Sequence, residues 1–180
     1  TRSLSSAASD VYKRQIDKSL SQCGKLIKEG ATFIDVGAIS SKPGSEELTL
    51  DIEKKRLFPI LEKLLLEFPD TLFSIDTFRS EIADESLKMG ADIINDVSGG
   101  EFDKKMLNVV GKFDSPYIFM HRKGTSKTMQ DNPKYENIIT EIIHYLSNKI
   151  KIANENGIKD VIVDVGFGFG KTCLLYTSDA

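Results

Sequence analysis

Residues 90–96, Gly-Ala-Asp-Ile-Ile-Asn-Asp, hold in one short stretch the unit from which this chain is built. A glycine tolerates the left-handed backbone that stops a helix. A brief apolar, β-branched run follows and ends at polar residues, Asn95 and Asp96. The same unit stands upstream in Gly30-Ala-Thr-Phe-Ile-Asp35 and downstream in Gly157-Ile-Lys-Asp-Val-Ile-Val-Asp164. Two more runs fit it: residues 72–76, closing on Asp76, and residues 117–121 after Pro116, closing on His121. Runs this short and nearly continuous predict strands buried on both faces, as in a parallel sheet.

Helical periodicity fills the gaps. Residues 16–29 place Ile16, Leu20, Cys23 and Ile27 on one stripe. Residues 46–68 are helical in pattern, with a kink or break expected at Pro59, which has no N–H for the ladder. Residues 79–89 and 103–112 predict shorter helices. Residues 133–156 predict a long one, with Ile138, Ile142, Tyr145, Leu146, Lys149 and Ile152 in register. His144 on that helix reads as a surface or half-buried residue, and the charged run 51–56 as a solvated helix face. Strict alternation of helix and strand, with about five strands, predicts α/β class, βαβ units and right-handed crossovers. A complete (β/α)8 TIM barrel takes about 250 residues, and the chain has 180. The expectation is therefore an incomplete barrel, or else an open doubly wound sheet.

Composition narrows the classes of function. Hydrophobic residues at 40% and charged residues at 28% are an ordinary globular mixture. A net charge of −3 with interleaved signs offers no basic stripe for nucleic acid. The longest apolar runs, such as residues 64–66, are far too short to span a bilayer, and no signal-peptide core is visible. Cys23 and Cys173 make neither a disulfide framework nor a metal site. A cytoplasmic location is expected. Residues 1–15 are Ser/Ala-rich without an apolar period, and residues 173–180 carry no cap or turn logic. Both resemble translated sequencing-adapter sequence, so the domain is expected over residues 16–172.

In either architecture ligands bind where the strands end. Those positions are Asp35, Asp76, Asn95 with Asp96, His121 and Asp164. A lone acid after an apolar strand often caps a helix or holds a loop amide. Several pointing into one mouth suit a ligand rich in N–H donors, because a carboxylate accepts paired N–H groups and an Asn gives and receives at once. A pterin ring has such edges, and so do guanine and other amino-heterocycles. His121 reads as a residue that fixes a loop rather than as a base. The segment Gly166-Phe-Gly-Phe-Gly-Lys-Thr172 follows a strand, but a phosphate loop would need glycine where Val165 stands. It reads instead as a glycine-rich active-site loop exposing Phe167 or Phe169.

At these residues the chain resembles the dihydropteroate synthases. The resemblance is carried by Ile34-Asp-Val-Gly-Ala-Ile-Ser-Ser-Lys-Pro-Gly44, Ser74-Ile-Asp-Thr-Phe78, Gly90-Ala-Asp-Ile-Ile-Asn-Asp-Val-Ser-Gly-Gly100, Met120-His-Arg-Lys-Gly-Thr125 with Thr128-Met-Gln130, and Asp164-Val-Gly-Phe-Gly-Phe-Gly-Lys-Thr172. The resemblance implies a (β/α)8 barrel that joins p-aminobenzoate to 7,8-dihydropterin-6-ylmethyl diphosphate, releasing diphosphate and 7,8-dihydropteroate. It further implies that Asp76, Asn95 and Asp164 grip the pterin edge and that Met120 and Val97 pack the ring. Phe169 would wall the methylene carbon. Ser41 would sit on a mobile loop closing the site, and Asp35 near that loop and the phosphate end. Mg2+ is implied as cofactor, though the strand bearing its Asn ligand is absent from this sequence, and none of the residues named here is a metal ligand. The implied partners are these small molecules and, at full length, a second copy in a homodimer. The chain departs from the family at Ala38 (Gly), Lys42 (Arg), Arg122 (Met) and Val165 (Pro). It also lacks the later strands with the Lys and Arg-x-His elements for diphosphate and p-aminobenzoate, so as given it is expected to be inactive. The alternatives are a non-catalytic pterin-binding fragment and a methyltetrahydrofolate–corrinoid methyltransferase domain. The Ser-Ser-Lys-Pro-Gly loop and the Phe-Gly-Phe-Gly-Lys segment favour the synthase.

Overall fold

The computed structural model describes residues 4–38, 48–122, 135–167, 169 and 171, with side chains from residue 14 onward. Helices and strands alternate: α1 (Leu4–Lys28), β1 (Phe33–Gly37), α2 (Leu50–Glu67), β2 (Leu72–Asp76), α3 (Ser80–Met89), β3 (Ile93–Asn95), α4 (Met106–Lys112), β4 (Tyr117–Met120), α5 (Ile138–Glu155) and β5 (Val161–Asp164). Gly90 ends α3 in the left-handed conformation, at φ +112°. The backbone turns the same way at Gly30 and Gly157, at φ +92° and +86°.

The five strands form one parallel sheet in the order β1-β2-β3-β4-β5. Each strand lies beside its predecessor, so the sheet never reverses direction as a doubly wound sheet must. Sequential parallel winding is the path of a TIM barrel, and here the barrel is unclosed: β1 and β5 each pair on one side only among the described residues. Ile34, Phe73, Ile75, Ile94, Tyr117 and Phe119 face the helices and pack with Leu57, Leu61, Ile82, Ala83, Met106 and Val110 in one core. At the β5 end this layer runs out. Val163, Ile139 and Ile143 all remain exposed.

Several boundaries differ from expectation. α1 begins at Leu4 rather than residue 16, because Ala and Ser tolerate helix once a longer segment has nucleated it. β1, Phe33–Gly37, runs two residues past Asp35, because its ladder with β2 continues to the Gly37–Asp76 pair. α2 runs through Pro59 without a break. α4 starts at Met106 rather than Asp103, because the Asp103 carboxylate is taken by the amides of Ser80 at 2.8 Å and Lys105 at 2.9 Å. α5 starts at Ile138, where the Asn137 side chain accepts from the amide of Thr140 at 3.0 Å. The charged run 51–56 is not wholly solvated, since Glu53 is fully buried. His144 is exposed, as its place in the pattern implied.

Candidate functional site

Strand register decides which side chains share a face. Asp35 pairs with Ser74, Asp76 with Asn95, Asn95 with Ile118, and Met120 with Asp164. Paired residues in a sheet point to the same side, and so do residues two apart on a strand. Asp35, Asp76, Asn95, Met120 and Asp164 therefore all project from the face opposite the helices, at or near the C-terminal ends of their strands. The Asn95 amide donates to the Asp35 carboxylate at 3.2 Å. Between them lies β2, bearing Asp76.

The environment of Asp76 sets its chemistry. Burial, and then the nearby charges of Asp35, Asp96 and Glu53, push its carboxyl up to about 7. A carboxyl poised near neutrality can donate a hydrogen bond as well as accept one. Asp164 is exposed and its Oδ1 accepts the amide of Gly166 at 2.8 Å. Met120 is buried, and Val97, in the turn after β3, is half-buried, as is Phe169 beyond β5. Ser41 lies outside the described residues.

Other polar residues at the strand ends serve the scaffold. Asp96 is fully buried and accepts from the amides of Ser98 and Gly100, both at 2.8 Å, and from the Tyr117 hydroxyl at 2.7 Å. This is the loop-holding role open to any acid after a strand. His121 is buried with its ring edge-on to Tyr145, centroids 5.0 Å apart. It stands one residue beyond β4, and its backbone N–H donates to the Asp164 carbonyl at 2.9 Å.

Two features were not read from the sequence. Glu53 of α2 accepts from the Thr77 hydroxyl at 2.8 Å and pairs with the Arg79 guanidinium. Glu101, after β3, joins Lys149 at 3.0 Å, Arg122 at 3.2 Å and the Tyr145 hydroxyl at 3.2 Å. Lys171, which the sequence leaves as a surface cation or a loop anchor, is buried against backbone carbonyls rather than at the surface. Glu53 lies in an ordinary charged run, so nothing local marks it. The Glu101 network joins segments far apart in the chain.

Among the described residues no group of three or more His, Cys, Asp or Glu side chains is placed to hold a metal ion. These residues do not fit a Mg2+ site. No helix among them is long and apolar enough to cross a membrane.

A sequentially wound parallel sheet with carboxylates and an amide on one face defines a barrel-type α/β protein, a class in which ligands bind at the strand ends. The sequence profile described as "Pterin binding enzyme" matches residues 3–174, and the chain belongs to that family. It is 40% identical to the mitochondrial folate synthesis bifunctional protein of Pisum sativum, over 88% of this chain and 32% of that protein. It is 35% identical to the dihydropteroate synthase of Bacillus subtilis, over 87% of this chain and 53% of that one. Among solved structures, the Yersinia pestis dihydropteroate synthase with a sulfonamide drug superposes with a TM-score of 0.83 at 33% identity, covering 87% of this chain and 57% of that chain. The chain thus spans about half the length of the bacterial relatives it matches.

Proposed function

We propose that this chain is the pterin-binding portion of a dihydropteroate synthase. Asp76, Asn95 and Asp164 hold the nitrogen-rich edge of the pterin, and Asp35 steadies Asn95 by accepting its amide N–H. The observation that carries the reading is the shared face of these residues together with the Asn95–Asp35 hydrogen bond. Relatives described with pteroic acid and with 4-aminobenzoic acid support the same class of ligand. Met120 and Val97 line the ring, and Phe169 stands near the carbon that reacts.

In the reaction of the whole protein, the C–O bond to diphosphate breaks and leaves a cation-like pterin methylene. The arylamine nitrogen of p-aminobenzoate then forms the new C–N bond and loses a proton. Carboxylates around the ring favour the positive charge that develops, and packed side chains keep competing water away from it.

The test is titration of the purified chain with 6-hydroxymethylpterin, followed by the pterin's own fluorescence. Saturable one-to-one binding that Asn95→Ala and Asp164→Ala each weaken is expected. Binding indifferent to both substitutions overturns the reading.

A further inference from the structure

The loop after β5 ends on a lysine whose ammonium is enclosed by backbone. Lys171 is 4% exposed. Its Nζ donates to the carbonyls of Gly166 at 2.9 Å, Phe169 at 3.1 Å and His121 at 3.3 Å. An ammonium has three N–H donors, so none is left over for a ligand. Two of the acceptors belong to the loop and the third to the end of β4. One cation therefore fastens two neighbouring strand-end loops.

The fit at the junction is close. Gly166 stands at φ +71°, and a Cβ there would lie 1.9 Å from the His121 carbonyl oxygen and 3.2 Å from Lys171 Nζ. The same glycine donates its amide to Asp164 Oδ1 at 2.8 Å, and its carbonyl accepts the amide of Phe169 at 3.1 Å. Whatever holds Gly166 against β4 therefore also orients the Asp164 carboxylate and starts the turn that carries Phe169. Burial lowers the Lys171 ammonium to about 8, against the pull of Asp164. A charge kept buried at such a cost fixes geometry here rather than contacting solvent.

We propose that Lys171 is a positioning residue of the pterin site, whose enclosed ammonium holds Gly166 against His121 and so sets the Asp164 carboxylate and the Phe169 ring. The proposal rests on the reading of the strand ends as a pterin site.

The test compares the full chain with Lys171→Met, Lys171→Gln and Lys171→Arg. Lys171→Met is expected to keep the far-UV dichroism of the parent while the amides of residues 117–122 and 164–171 exchange about tenfold faster or more. Exchange in β1, β2 and β3 should be unchanged. Affinity for 6-hydroxymethylpterin should fall about tenfold, and Lys171→Arg, which keeps a charged donor, should recover most of it. Lys171→Gln keeps two donors and should lie between. It carries the comparison if the methionine variant does not fold. Unchanged exchange in both loops overturns the proposal, as does acceleration spread evenly over all strands, which marks general destabilisation. If the parent chain binds no pterin, the proposed function fails, while the exchange data still decide the role of Lys171.

Discussion

The side-chain amide of Asn95 reaches the carboxylate of Asp35, 3.2 Å away, across the strand that lies between them. Two strand spacings separate β1 from β3, about 10 Å in a flat sheet. Side chains that meet over this distance lean toward each other above β2, and they enclose Asp76 between a carboxylate and an amide. Burial first, and then the nearby charges of Asp35, Asp96 and Glu53, hold the Asp76 proton well above the ordinary carboxylate range.

Removing the amide should therefore affect binding more than folding. Asn95→Ala deletes the donor to Asp35 and one group offered to the ligand. With Asn95 only half-buried, the loss of stability should be below about 1 kcal/mol. The affinity for 6-hydroxymethylpterin should fall about 10- to 100-fold, as for a lost hydrogen bond in a polar site. Calorimetric titration beside a urea melt separates the two effects. A large stability loss with unchanged affinity would make Asn95 a scaffold residue instead.

Asp76 should show the opposite balance. Its folded carboxyl is raised to about 7 from 3.8, so the native chain holds a proton that the unfolded chain has released. The associated stability is fully present below about pH 4 and is lost as pH rises from there through 7. Asp76→Asn removes this dependence. The variant should gain on the parent as pH rises from 4 to 7 and hold a constant lead above that. Because solvent reaches part of the carboxylate, the lead should be about 1–2 kcal/mol. Urea midpoints at pH 5 and pH 8 check the sign, and pterin affinity should fall at the same time. A parent equally stable at both pH values, relative to the variant, would remove the charge crowding from the account.

The strands and their polar ends were legible because each is local: a glycine, a few apolar residues, then an acid or amide. The place where each run ends is enough to pick out Asp35, Asp76, Asn95 and Asp164, whereas the run closing on His121 misses Met120, which only the family resemblance names. Asp96 shows where that reasoning stops. It is one residue beyond Asn95, and only the backbone turn after β3 sends it to loop amides and Tyr117 rather than to the site face. Glu53 was illegible for a different reason. Its partners Thr77 and Arg79 come from another segment, so a position that looked solvated on α2 is fully buried in the sheet–helix layer. α1 began earlier than its apolar stripe because helix continues where propensity permits, even without a stripe to bury.

Glu53 carries a clear energetic expectation. Glu53→Ala leaves the Arg79 guanidinium and the Thr77 hydroxyl without their buried acceptor. Breaking one side of a buried ion pair costs about 3–5 kcal/mol, a large part of an ordinary domain's stability. Glu53→Gln keeps the shape and an acceptor for Thr77 but not the charge, so it should cost less. It should also let Asp76 ionise at lower pH, since Glu53 is one of the charges holding that proton in place. Urea unfolding ranks the variants, and a loss under about 1 kcal/mol for Glu53→Ala would show that Arg79 finds another partner.

Gly111, in α4, sets two physical rules against each other. Glycine inside a helix costs about 1 kcal/mol relative to alanine, so Gly111→Ala should stabilise if the site were open. A Cβ at Gly111 would lie 1.9 Å from the carbonyl oxygen of Asn156 and 3.1 Å from its carbon. Those are backbone atoms at the end of α5, and no rotamer change can clear them. The end of α5 would have to move away from α4, and Asn156 there is bonded back to Ile152 and Ala153. Overpacking of this kind costs about 1–3 kcal/mol or more and outweighs the propensity gain. Gly111→Ala should therefore lower stability by about 2 kcal/mol, a fall in Tm of about 4–8 °C for a chain of this size. Pterin affinity should be little changed, because the contact lies on the helix side, opposite the face that bears Asp76 and Asn95. A rise in Tm would mean that α4 and α5 approach less closely than the distance to Asn156 requires.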